Sequence, residues 1–204
     1  MAISISSKQT IIWDQVRLQG DPAEFVWVTP VRPGSRVELA NDDWFAALDA
    51  STQPLIYAPI DYGTAAGCAL AGCAAEDARL DPGSTKVEVV REGLLGPYET
   101  VTVRAAGDPD APYRWLVERG FAVPETAQGV LREYASQGFD FAALRLRAGC
   151  GARSMRPVRI IIPGAEPRIL VRMALAGARA ELPITLFVVG EARYRAVNYD
   201  NVLL

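Results

Sequence analysis

Eight short runs along this chain have hydrophobic patterns that predict β-strands, with either the two-residue period of a half-buried strand or a continuous apolar stretch. The first half contains four such runs, at residues 10–19 (TIIWDQVRLQ), 24–31 (EFVWVTPV), 86–90 (KVEVV) and 99–104 (ETVTVR). The second half contains four more, at residues 139–147 (FDFAALRLR), 156–162 (RPVRIII), 168–176 (RILVRMALA) and 183–190 (PITLFVVG). In the run ETVTVR, valine alternates with threonine and arginine, which predicts a strand with one face in solvent.

The run at residues 24–31 is apolar on both faces, and this pattern is typical of a central strand. We therefore expect Trp27 to be a core residue. Pro30 lacks a backbone N–H and Pro33 fixes the backbone beyond it, so strand pairing is expected to end there.

Three short helices are predicted between the strands. Asn41 precedes an apolar stripe and can cap the first helix, while Asp108 and Pro124 mark the starts of the other two. The second and third helices are expected to end at Gly120 and Gly138. Each glycine is followed by phenylalanine, so we expect a left-handed glycine and an apolar residue that packs back on the last turn.

These elements predict an α+β fold, with a mainly antiparallel sheet and three short helices packed on it. We expect a single domain over residues 1–204 with a mobile small-residue loop near 58–84. A strand pattern begins almost at Met1, and the chain ends on apolar residues. We therefore expect a piece of a longer exported protein, truncated at both ends.

Composition limits the chemistry of the chain. Its 204 residues include no histidine, which argues against His-dependent catalytic triads and the usual zinc sites. No glycine-rich loop lies between a strand and a helix, and no apolar run reaches the length of a membrane helix. The sequence therefore predicts no enzyme, no metal, no cofactor, no nucleic-acid partner and no transmembrane segment.

Charge is distributed unevenly along the chain, and nearly all of the basic residues are arginines. Residues 1–102 hold 7 basic and 14 acidic residues, whereas residues 103–204 hold 14 and 10. The shortage of lysine fits either a GC-rich genome or a use for the planar guanidinium. A possible anion-binding face is formed by Arg156, Arg159, Arg168 and Arg172. The same arginines could instead be a solvated sheet face or meet the acidic half of the chain.

The three cysteines leave two alternatives open. Cys68 and Cys73, separated by four residues, could form a disulfide in an oxidising compartment, or they could be unpaired thiols in a loop. Cys150 stands apart from both.

The order of several motifs resembles a bacterial family of uncharacterised proteins, domain of unknown function 2330. The motifs are GDPAEFVWVTPV, WLVERGFAVPE, YASQGFDFAALRLR, MRPVRIIIPG and NYDNV, and the resemblance spans nearly all of the chain except residues 58–84. The resemblance implies an exported envelope protein with no established functional residues to carry over. We therefore expect a non-enzymatic, extracytoplasmic binding or scaffolding domain, whose partner is another envelope protein or an anionic ligand. The alternative is an enzyme or an anion-binding site on the Arg-rich C-terminal sheet face.

Overall fold

The computed structural model describes residues 1–16, 25–53, 87–177, 184–192, 194, 195 and 197. Nine strands and four helices occur in this part of the chain. The strands are Ala2–Ile5 (β1), Gln9–Asp14 (β2), Val26–Val31 (β3), Arg36–Leu39 (β4), Val87–Leu95 (β5), Tyr98–Ala105 (β6), Asp140–Leu146 (β7), Val158–Pro163 (β8) and Phe187–Gly190 (β9). The helices are Asp42–Thr52 (α1), Ala111–Glu118 (α2), Gln128–Ser136 (α3) and Arg172–Gly177 (α4).

The strands form two sheets. One has the order β4-β8-β2-β1-β9 and the other has the order β3-β7-β6-β5. Every pairing is antiparallel except that of β1 with β9. The predicted α+β class with mainly antiparallel pairing is confirmed, and α1, α2 and α3 are the three predicted helices. The strands are divided between two sheets, where the sequence predicted one.

The four-stranded sheet is covered on both faces at β7, whereas β5 at its edge is largely exposed. On one face, Ala142 of β7 belongs to a buried cluster with Ile160 and Ile162 of β8, so this face packs on the five-stranded sheet. On the other face, Phe141 of β7 shares a larger cluster with Leu116 of α2 and other residues of the helical layer. The buried residues of β7 are therefore consecutive rather than alternating, because other layers cover both faces of the strand.

Strand β3 corrects the prediction of a central strand. Among the described strands it pairs only with β7 and is an edge of its sheet, although residues on both of its faces contact the core. Pro30 pairs in register with Phe141, so pairing continues to Val31 rather than ending at the proline. An edge strand tolerates proline because the missing N–H can face away from the ladder. Trp27 is only partly buried, so its placement in the core is half right: it packs against two buried clusters at their margin.

The predicted helix ends at Gly120 and Gly138 are both confirmed. Gly120 and Gly138 have φ of 75° and 77°. The N–H of Phe121 donates to the carbonyl of Leu116 at 2.9 Å, and the N–H of Gly120 donates to that of Val117 at 3.0 Å. This pair of bonds is the Schellman motif, and the same pair ends α3 at Gly138.

The start of α2 lies slightly later than predicted. The helix begins at Ala111, and Asp108 caps the turn before it by accepting from the N–H of Asp110 at 3.0 Å. Asn41 caps α1 as predicted, because its side chain accepts from the N–H of Asp43 at 3.2 Å.

The run RILVRMALA was predicted as a strand, and this prediction is wrong. Its second half is helix α4, which begins at Arg172. The sequence Met-Ala-Leu-Ala consists of strong helix formers, and their propensity outweighs the two β-branched residues that precede them.

Several predictions lie outside the described residues. These are the mobile loop near 58–84, the possible disulfide between Cys68 and Cys73, and the motif NYDNV. Within the described ranges, no helix is long and apolar enough to cross a membrane.

Candidate functional site

Each of the four arginines of the predicted anion-binding face forms an ion pair with a different carboxylate. Arg156 pairs with Asp42 (3.1 Å), Arg159 with Glu38 (2.6 Å), Arg168 with Glu166 (2.6 Å) and Arg172 with Glu133 (2.6 Å). Asp42 and Glu38 belong to the acidic N-terminal half, as the alternative interpretation of the arginine excess proposed. Of the four, only Arg156 lines a described cavity. Anion binding by this set remains a prediction.

One of these pairs belongs to a larger cluster, in which two guanidinium groups share one carboxylate. Arg32 donates from Nε to Glu166 at 2.8 Å, and Arg168 donates from Nε and Nη2 to the same carboxylate at 2.6 and 3.0 Å. The Glu166 side chain is 10% exposed, whereas those of Arg32 and Arg168 are 29% and 53% exposed. The cluster therefore carries one net positive charge and reaches solvent through its arginines.

Glu166 is held by a buried threonine. Its N–H donates to Oγ1 of Thr10 at 2.8 Å, and that hydroxyl donates to the carbonyl of Gly164 at 3.1 Å. The guanidinium of Arg32 lies 4.0 Å from the centre of the Phe139 ring. Sequence reasoning missed Arg32 and Glu166, because 134 residues separate them and no local pattern relates the two.

The larger of the two described cavities lies between the end of α2 and the β5–β6 hairpin, and we call it the helix–hairpin groove. Its volume is about 80 Å³. Its lining residues are Glu92, Gly93 and Leu94 of β5, Glu99, Thr100 and Val101 of β6, Arg145 of β7, and Trp115, Arg119 and Phe121 at the end of α2. The groove therefore combines an apolar floor with four charged side chains.

Arg145 is fully committed to contacts within the groove. Its Nε donates to Glu99 at 2.6 Å, its Nη1 donates to the carbonyl of Arg119 at 3.3 Å, and its guanidinium lies 5.0 Å from the Phe121 ring centre. A cation at the last carbonyls of a helix is favourable, so Arg145 stabilises the end of α2.

Arg119 and Glu92 also line the groove but have no ion pair with any residue of the described ranges. The guanidinium of Arg119 lies 5.2 Å from the centre of the Trp115 ring, which leaves its N–H donors open. The indole ring thus fixes Arg119 without neutralising its charge.

A β-bulge in β5 determines which charged residue of that strand lines the groove together with Arg119. Val89 lies opposite Val103, and Glu92 lies opposite Val101, with the register shift between Val89 and Arg91. In a regular ladder, Arg91 would lie opposite Val101, since facing residues step together. The bulge therefore replaces a guanidinium by a carboxylate at the groove.

The smaller cavity, of about 10 Å³, lies beside the end of β2. Burial raises the pKa of Asp14, which lines this cavity. Burial also raises the pKa of Tyr98, whose hydroxyl donates to the carbonyl of Arg156 at 2.7 Å and accepts from its N–H at 2.9 Å. Tyr98 thus ties β6 to the segment before β8 and leaves little space for a ligand.

No described residues form a group of acidic, cysteine or histidine side chains able to hold a metal ion. Cys150 is partly buried in the turn after β7, where its N–H donates to the carbonyl of Arg147 at 3.0 Å.

Comparison with known proteins gives one match. The model of a family described as "Uncharacterized protein conserved in bacteria (DUF2330)" matches residues 1–203, a range that includes every residue of both cavities. No curated protein and no solved structure matches the chain.

Proposed function

Since this chain belongs to the bacterial family DUF2330, we propose that it is a non-enzymatic binding domain of the cell envelope. The resemblance of its motifs to exported family members supports the proposed envelope location. The geometry of the described surface supports the proposed binding role.

The size and chemistry of the helix–hairpin groove carry the proposal. Small-molecule sites usually enclose roughly 300 to 1,000 Å³. The groove encloses about 80 Å³, which accommodates a side chain or two but not a whole substrate. A site of this size favours a partner that places one segment in the groove and makes its other contacts outside it.

The arrangement of the arginines supports the same function. Arginines used for chemistry on an anionic substrate would converge on a cavity with a carboxylate in reach. Here Arg159 and Arg172 instead pair with carboxylates on other segments, and Arg168 pairs with Glu166 two residues away, so all three charges are matched within the chain.

Cell fractionation tests the proposed location. The full upstream reading frame is expressed from its own start with a C-terminal tag, and the protein is expected in the envelope fractions. Recovery with a cytoplasmic marker enzyme, in cells whose periplasmic marker is correctly released, would overturn the location.

A crosslinking experiment tests the binding role. A photo-crosslinking amino acid replaces Leu94 at the groove or Arg91 on the opposite face of β5. We expect a discrete crosslinked partner from the Leu94 position and none from the Arg91 position. Equal crosslinking from both positions would contradict a binding role for this face.

A second function is favoured by the Arg32–Glu166–Arg168 cluster, namely the binding of a small anion at the Arg-rich region. Its net positive charge and the exposed Arg168 are what an anion would recognise. In a thermal-shift titration with inorganic phosphate, Arg168→Gln should lose any stabilisation seen in the parent, whereas Arg153→Gln outside the cluster should keep it. An equal phosphate response in all three proteins excludes this function.

A further inference from the structure

The helix–hairpin groove presents two opposite charges that the described residues leave unneutralised. Arg119 and Glu92 line one cavity without pairing with each other or with Arg145 and Glu99, which neutralise one another. Each group keeps hydrogen-bonding capacity toward the groove, so a ligand of complementary charge can gain a charge-assisted contact with each.

The floor between these charges is apolar. Trp115 and Val101 are each 4% exposed and Phe121 is 8% exposed, while Leu94 is 39% exposed at the rim. An occupant therefore needs an apolar portion between two charged ends.

The charges also exclude some ligands. Glu92 has no ion pair with a described residue and would repel a dianion such as phosphate or a polyanion placed beside Arg119. A single carboxylate fits the fork of Arg119, whose donors suit bidentate recognition. A neighbouring cation on the same ligand fits Glu92, which faces the groove only because of the β5 bulge.

We infer that the helix–hairpin groove binds a zwitterionic peptide segment of a partner protein, with the peptide's carboxylate on Arg119 and its cationic group on Glu92. This inference rests on the proposed binding function and names the ligand of that site. The carboxylate belongs to an acidic side chain or to the free C-terminus of the partner, and both sources present the same group to Arg119.

Nuclear magnetic resonance titration of the isotope-labelled protein tests the inference, with the Trp115 indole N–H as reporter. The first probe is a doubly blocked tetrapeptide with adjacent glutamate and lysine, the second is the same peptide with glutamine at both positions, and the third has a free C-terminus and lysine but no glutamate. The glutamate–lysine peptide or the free-C-terminus peptide is expected to give saturable shifts, and which of them binds more tightly identifies the source. The glutamine peptide is expected to give none.

Substitutions at Arg119 and Glu92 test separately the two contacts proposed with the peptide. Arg119→Gln should weaken binding about tenfold or more, since it removes a charge-assisted bond, and Arg119→Lys should restore part of the loss. Glu92→Gln should weaken the lysine-containing probes but not an analogue that keeps only the carboxylate. Arg114→Gln on the same helix and Glu88→Gln on the same strand lie outside the groove and should bind within about twofold of the parent, because neither contacts the ligand.

Three outcomes would overturn the inference. The first is the absence of saturable shifts with every charged probe, in a protein whose thermal unfolding shows that it is folded. The second is equal weakening by the groove variants and their controls, and the third is competition by inorganic phosphate at the concentrations at which the peptide binds. The titration uses purified protein, so its failure is distinct from a cytoplasmic location in the fractionation experiment.

Discussion

At the scale of single residues, the planar guanidinium accounts for most of the side-chain hydrogen bonds that join distant segments among the described residues. Arg104 donates from Nε and Nη2 to the two carboxylate oxygens of Asp140, each at 2.8 Å, and Asp140 is 2% exposed. A lysine is a point charge without this fork and would leave one oxygen unsatisfied. The abundance of arginine was visible in the sequence, but its partners were not, because they lie on other strands and loops.

The Arg32–Glu166–Arg168 cluster provides the first prediction. Glu166→Gln removes the charge that two guanidinium groups share, and we expect a loss of roughly 1 to 3 kcal/mol in the free energy of unfolding. The loss is smaller than for a fully buried pair because both arginines reach solvent. Glu38→Gln, in the more exposed pair with Arg159, is the control and should cost less than about 1 kcal/mol. Equal losses in urea denaturation would show that burial of Glu166 does not strengthen its pairing.

The buried carboxyl of Asp14 provides the second prediction. Desolvation raises its pKa above the ordinary value of 3.8, so the folded state holds the proton more tightly than the unfolded state. Stability from this group is therefore present at acid pH and is lost as pH rises from the ordinary value through the raised one. Asp14→Asn should stabilise the protein at neutral pH and have little effect below about pH 3, where both states of the parent are mostly protonated. Thermal unfolding from acid to neutral pH measures the difference, and a stabilisation independent of pH would contradict the assignment.

At the scale of elements, local signals predicted helix ends well and strand environment poorly. The stops at Gly120 and Gly138 were correct because a glycine followed by an apolar residue fixes the last turn within six residues of sequence. The position of β3 in its sheet was wrong because two-faced burial arises at an edge strand as well as in a centre when other layers cover it. The helix α4 was missed because alternating arginines suggested a strand where propensity favoured a helix.

Two glycines, one inside α3 and one just after its end, give the third prediction. Replacing them with alanine should change the free energy of unfolding in opposite directions. Gly138 has φ of 77° and an open space where a Cβ would stand, so Gly138→Ala meets only backbone strain, and we expect a loss of roughly 1 to 2 kcal/mol. Gly129 lies in the first turn of α3, in ordinary helical geometry and equally open, so Gly129→Ala should gain about 0.5 to 1 kcal/mol. Chemical denaturation of the two variants measures both effects. Two changes of the same sign would show that α3 does not end at Gly138 as described.

At the scale of the whole molecule, sequence could predict most of the described strands but not which of them pair. Strands β3 and β7 pair across more than a hundred residues, and β1 pairs with β9 near the other end of the chain. Such pairings depend on packing between layers, which no local period encodes. The helix–hairpin groove was missed for the same reason, since Arg119, Glu92 and Arg145 come from three separate elements.

The packing of the two sheets gives the last prediction, and it also tests the predicted single domain. Ala142 is fully buried in the cluster that joins β7 to β8, and Ile160 lies on the other side of that interface. Ala142→Val adds volume there and should cost roughly 1 to 3 kcal/mol, while Ile160→Ala leaves a cavity and should cost roughly 2 to 5 kcal/mol. Because the added volume fills part of the cavity, the double variant should lose less than the sum of the two.

The matched control uses the opposite face of the same strand. Ala143 is also fully buried but belongs to the cluster under the helices, so Ala143→Val and Ile160→Ala should be additive within about 0.5 kcal/mol. Urea denaturation of both cycles measures the coupling across the sheet interface and shows whether unfolding has one transition. Additivity in both cycles, or separate transitions for the two sheets, would contradict a single domain in which the sheets share one core.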